Sequence, residues 1–215
     1  MQMLELKLAV AEDLKASAGL LIKAHIPQDA TPDMVPSFYL PQLEKTLLAA
    51  AFGKNPSRVI ILGIESDSGI ARAAYEINHV NTFQGNLELR RGYIASEPEG
   101  RGFGSALLKG LMLIVEQVSY ESGKPLNHLP ETYFSGPTHF FQKHGYTLIG
   151  ERDAVTNAIY YLKRVFEPKK HSLSQKEKQI VRAMMIEPME ESFPAMPDYA
   201  IRAISVAQPN VVTPL

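Results

Sequence analysis

Gly85-Asn86-Leu87-Glu88-Leu89-Arg90-Arg91-Gly92-Tyr93-Ile94-Ala95, then Ser96-Glu97-Pro98-Glu99-Gly100-Arg101-Gly102-Phe103-Gly104, then Ser105-Ala106-Leu107-Leu108: three local chemistries follow one another here. The first segment is rich in aliphatic, β-branched and aromatic residues and reads as a strand. The third begins a helix whose apolar positions continue to Val118 and whose stop is Ser122-Gly123. Between them, glycines at 100, 102 and 104 leave consecutive backbone N–H groups uncovered at the positive end of that helix, a geometry that binds phosphate. Alternating glycines also make ordinary tight turns, so the loop alone leaves both readings open.

Working outward, Val59-Ile60-Ile61-Leu62-Gly63-Ile64-Glu65 reads as a buried strand and Ser66-Asp67-Ser68-Gly69 as a hairpin turn. Residues 70–80 form the returning strand, and 81–85 turn into the glycine stretch. Downstream come a short strand at 124–129, extended chain to Phe134, and a helix over 138–144 opened by Gly136-Pro137. Residues 146–151 and 158–165 read as a closing pair of strands. Upstream, apolar and charged residues alternate over 3–10, a half-buried strand. A helix opens at residues 11–13 and ends near Ile26-Pro27; residues 27–36 are loop and a second helix runs around 39–52.

Residues 93–108 resemble the acetyl-CoA-binding motif of the GNAT superfamily, the acyl-CoA-dependent N-acyltransferases. That motif reads Gln/Arg-x-x-Gly-x-Gly/Ala between the fourth strand and the following helix. Gly102 and Gly104 match; Glu99 stands at the Gln/Arg position, with Arg101 nearby to offset its charge unless Glu99 faces water. A second family signature, Phe-Tyr-x-Lys-x-Gly-Phe/Tyr, is met by Phe140, Lys143, Gly145 and Tyr146, with Phe141 in place of the tyrosine that often protonates the leaving thiolate. The resemblance covers roughly residues 3–165. It implies an α+β fold, a central mostly antiparallel mixed sheet flanked by helices, with a domain at 1–166 and a C-terminal extension at 167–215. It further implies acetyl-CoA as cosubstrate, held by Tyr93, Ile94, Ala95, Glu99, Gly100, Arg101, Gly102, Phe103, Gly104, Ser105, Asn127 and Phe141, with Asn127 hydrogen-bonding the pantetheine arm. Residues 27–52 then lie over the acceptor site.

Acyl transfer to an amine needs a bound thioester, a neutral amine and a proton for the thiolate. An alkylamine with a pKa of ~10.4 is mostly protonated at neutral pH and needs a base, direct or through water. Glu88 holds the strand position from which several family members supply that base, and strict alternation puts it in parity with Ile94. The plainer alternative is a charged strand residue facing water or paired with Arg90 or Arg72. His128 is a candidate proton relay or a surface histidine; Tyr133 and Tyr93 are substitutes for the missing tyrosine acid. The six histidines show no metal-ligand spacing, so no metal is expected.

A net charge of −1 gives no sign of nucleic-acid affinity, and the absence of cysteine excludes disulfides and a cysteinyl acyl-enzyme. No apolar run approaches the ~20 residues of a membrane span, and the N-terminus lacks a signal-peptide layout, so a cytoplasmic protein is expected. In the extension, Ser172 or Ser174 caps an amphipathic helix over 175–185, and residues 200–207 are apolar enough for a strand. It reads as a cover on the domain or the arm of a homodimer, with a partner-binding or secretion tail as the other reading. Two functions stay open: an N-acetyltransferase acting by direct attack in a ternary complex on an unidentified primary amine, and a non-catalytic acyl-CoA-binding protein.

Overall fold

The computed structural model describes residues 4–10, 13, 17, 20, 59–83, 85–98, 100–133, 138–149, 158–165 and 167–185, with the backbone alone at 78–83, 90–93, 131–133, 138 and 158–160. The expected loop at 27–36, the helix at 39–52, Gly136-Pro137, Glu99 and the strand at 200–207 lie outside these residues. Of the helix expected over 11–26, Asp13, Ser17 and Leu20 are described and are helical.

Strands β1 (Leu4–Leu8), β2 (Val59–Glu65), β3 (Ala71–Phe83), β4 (Asn86–Ser96), β5 (Leu126–Tyr133), β6 (Thr147–Ile149) and β7 (Ala158–Val165) are ordered β1-β2-β3-β4-β5-β7-β6. Neighbours are antiparallel except β4 and β5. Parallel strands need a crossover, which helix α1 (Phe103–Ser122) supplies. β2 is buried from Val59 to Gly63, as its unbroken apolar run requires. The hairpin after it closes through Gly69, which donates its N–H to the Glu65 carbonyl at 2.8 Å. Arg72 on the return strand pairs with the Glu65 carboxylate at 3.0 Å.

Leu107, Leu108, Leu111, Ile114, Val115 and Val118 of α1 are buried against one sheet face. The helix stops at Gly123, left-handed at φ 64°, as the Ser-Gly pair requires. It starts at Phe103, two residues before the expected Ser105, because the cap is a glycine rather than a side chain. A short helix α2 (Thr138–Lys143) follows β5.

Helix α3 (Gln175–Met185) opens on a reciprocal capping box: Glu177 N–H donates to Ser174 Oγ at 3.3 Å and Ser174 N–H to Glu177 Oε2 at 2.8 Å. Its apolar residues Ile180, Val181 and Met184 join the same core as α1 and β1, and Lys176 pairs with Glu5 at 2.8 Å. The segment before it is tied to α1 by His171, whose N–H donates to Gln117 at 2.7 Å and whose ring meets Glu116 at 2.6 Å. Among the described residues, no helix is long and apolar enough to cross a membrane.

Candidate active site

The middle of the sheet comes apart at one point. β4 and β5 pair in register from Leu87↔Leu126 to Arg90↔Leu129, then slip by a residue so that Gly92 meets Pro130. Proline has no N–H to extend the ladder. Beyond it β4 continues to Ser96 paired with β3, whereas β5 continues to Tyr133 paired with β7. The β5-facing backbone edge of Ile94, Ala95 and Ser96 is thereby left without a strand partner among the described residues.

This opening leads to the start of α1. Gly100 and Gly102 have φ of 73° and 84°, left-handed conformations that side chains resist. Gly102 is the N-cap and makes no side-chain cap bond. The first intrahelical bond is Ala106 N–H to the Gly102 carbonyl at 2.9 Å, so the helix supplies no partner for the N–H groups of Phe103, Gly104 and Ser105. Gly104 lets the helix approach β4: a Cβ there would lie 3.3 Å from Ser96 Oγ and 3.6 Å from Phe140. His144 Nε2 meets Ser105 Oγ at 3.0 Å. Burial, with Lys143, Lys109 and Lys163 around it, lowers the His144 pKa and keeps the imidazole neutral.

Register places Glu88 beside Asn127, and Asn127 beside Arg164 of β7. Asn127 Nδ2 donates to Glu88 Oε1 at 3.4 Å, and both side chains are buried. Arg164 feels the Glu88 charge: partial burial lowers its pKa and the carboxylate opposes that change. The plainer alternative, a water-facing carboxylate or one paired with Arg90 or Arg72, meets a Glu88 that is fully buried and an Arg72 that pairs with Glu65. Arg164, 76 positions away from Glu88, gave no local signal.

Alternation does not carry Glu88 onto the side of Ile94. Ile94 sits opposite Tyr75, and Leu89 opposite His128; all four border the α1-covered core. The slip between Arg90 and Gly92 reverses the alternation, leaving Glu88, Asn127 and Arg164 on the other face.

His128 does not line the groove. Its ring is fully buried on the α1 side, with Nε2 2.6 Å from the Tyr75 hydroxyl and Nδ1 2.7 Å from that of Tyr146. Tyr146 donates its proton to Met112 Sδ at 3.0 Å, so it accepts from Nδ1–H, and Nε2 accepts from Tyr75. Burial, with Lys163 contributing, lowers the His128 pKa to about 3, and burial raises that of Tyr146. Both groups are held neutral, and the expectation of a relay at His128 gives way to an internal hydrogen-bond bridge. Phe141 is also internal, 1 % exposed and in contact with Tyr146 and Tyr161. For Tyr93 and Tyr133 the backbone register is described: Tyr93 opposite Glu76, Tyr133 opposite Ala158.

No protein-family model and no curated protein matches the sequence. Solved structures do match the fold. The PaiA N-acetyltransferase from Thermoplasma acidophilum, in complex with coenzyme A, has a TM-score of 0.51 at 16% identity, over 75% of this chain and 99% of its own. A point mutant of the spermidine N-acetyltransferase from Vibrio cholerae has a TM-score of 0.52 at 15% identity, over 75% of this chain and 94% of its own. The ribosomal-protein-S5-alanine acetyltransferase from Vibrio fischeri has a TM-score of 0.51 at 8% identity, over 79% and 97%. With its splayed parallel strand pair, glycine turn and crossover helix in this order, the chain has the fold of the GNAT N-acetyltransferases.

Proposed function

We propose that the protein is an acyl-CoA-dependent N-acyltransferase, with acetyl-CoA as donor and a primary amine as acceptor. The observation that carries this reading is the parting of β4 from β5 at Gly92/Pro130, opening beside an α1 N-terminus that has no side-chain cap. The N–H groups of residues 103–105 suit a pyrophosphate, and the free edge of Ile94, Ala95 and Ser96 suits the amide groups of a pantetheine arm. The turn at Gly100, Arg101 and Gly102 admits the phosphates without side-chain obstruction. Transfer is direct: the amine nitrogen bonds to the thioester carbonyl carbon, the C–S bond breaks, and coenzyme A leaves as thiolate. Glu88 takes the proton that the amine loses, by way of a water, because its carboxylate is buried. Tyr133 remains the candidate proton donor to the thiolate. A thiol of pKa ~8.5 also leaves readily without one.

The burial of Glu88 and the phenylalanine at 141 favour a second reading, an acyl-CoA-binding protein without catalysis. Calorimetric titration with acetyl-CoA, followed by transfer assays over polyamines, amino acids, peptide N-termini and lysine peptides, separates the readings. Binding with turnover of one acceptor class supports the enzyme; binding with no transfer supports the second; no binding overturns both.

A further inference from the structure

We propose that Arg164 is a positioning residue that holds the Glu88 carboxylate ionised and aimed, through a polar row built from three adjacent strands. The inference rests on Glu88 being the base, and it adds a residue outside both sequence signatures. Glu88 of β4, Asn127 of β5 and Arg164 of β7 share one register level and one sheet face. Three neighbouring strands thus each place one polar side chain in a line, with Asn127 donating to Glu88 at 3.4 Å from the centre. Glu88 is fully buried. A buried carboxylate is costly to ionise unless a cation or donors stabilise it. The charged group facing it from the next strand but one is Arg164, and the two interact electrostatically.

The arrangement fits a base that must be ionised before the amine arrives. Without Arg164, the carboxylate loses the favourable interaction with that cation and takes up a proton at higher pH. With it, Glu88 stays charged and its oxygens are directed along the row. A lysine would keep the charge but lose the planar fork.

The test combines kinetics with a stability cycle on the full chain. In Arg164→Met, the acid limb of the kcat/KM profile should move up by about one to three pH units, with KM for acetyl-CoA within twofold of the parent. Arg164→Lys should restore most of the limb's position. An unmoved limb in Arg164→Met overturns the proposal. Urea unfolding of R164M, E88Q and E88Q/R164M supplies a readout independent of turnover. R164M should cost more stability in the parent than in the E88Q background, because E88Q leaves no carboxylate charge for Arg164 to act on. If R164M does not fold but E88Q/R164M does, coupling is supported; equal costs, or two unfolded variants, overturn it. If E88Q keeps full turnover while the cycle shows coupling, the base reading fails and Arg164 still holds Glu88.

Discussion

Two polar groups lie one residue out of step on the same central strands. Leu89, His128 and Lys163 belong to the face under α1; Glu88, Asn127 and Arg164 occupy the next positions and the opposite face. Under α1 a hydrogen-bonded chain of neutral groups runs from Tyr75 through His128 and Tyr146 to Met112. On the other face the Glu88 carboxylate and the Arg164 guanidinium share a register level with Asn127 between them and interact electrostatically. A closed neutral chain adds specificity to packing at little desolvation cost. A buried carboxylate rarely adds net stability even when a cation is near, so Glu88 is a candidate for function. The same pleat therefore separates a fold-holding cluster from a candidate catalytic one.

The largest expected effect tests the charged side. Glu88→Gln should lower turnover by about 10²–10⁴-fold, with acetyl-CoA affinity nearly unchanged, measured by steady-state kinetics and calorimetry. The amide keeps shape but cannot take a proton. Unchanged turnover would return Glu88 to the status of its neutral counterpart.

The mouth shared by both faces comes next. Gly102→Val forces a β-branched residue into φ 84°. Acetyl-CoA affinity should fall roughly 10–100-fold, the value of one or two lost charge-assisted N–H bonds, while circular dichroism stays that of the parent. A folded variant with parental affinity would remove the turn from the site.

On the neutral side, His128→Asn should cost about 3 kcal/mol of stability, since two buried hydroxyls lose their bridge, and leave the pH–rate profile in place. His128 stays unprotonated in the folded protein down to about pH 3, whereas the unfolded chain takes up its proton near 6.5. Stability should therefore fall as pH drops from 6.5 toward 3, by up to about 1.4 kcal/mol per unit, and be insensitive to this group above 6.5. Urea unfolding between about pH 4.5 and 7.5 checks this slope, which His128→Asn should flatten.

The smallest effect concerns Phe141→Tyr. At a groove wall the hydroxyl would supply the family's proton donor and raise the rate. Placed instead among Phe140, Tyr146 and Tyr161, it should cost about 1–2 kcal/mol and leave the rate unimproved. A rate gain in a stable variant would move Phe141 back to the groove.

The elements were largely legible because they rest on local chemistry. The apolar run at 59–64, the Ser-Gly stop at 122–123, the capping box at 174–177 and strand 158–165 are each written within a few neighbouring residues. The glycine turn was legible for the same reason, because positive φ selects glycine wherever it occurs. The candidate site was legible only in part. Glu88 could be singled out, but its face could not, since a one-residue slip at Arg90/Gly92 reverses the alternation and nothing in the strand announces it. His128 looked like a groove residue until Tyr75 and Tyr146, 53 and 18 positions away, were brought to its two nitrogens. Arg164 was one of many cations until β7 was paired with β5. The sequence by itself determined the strands, the helix and the glycine turn through local backbone preference. Which polar groups are buried and neutral, and which charged groups share a register level, was decided by tertiary structure alone, because strand register and burial depend on partners far away in the chain.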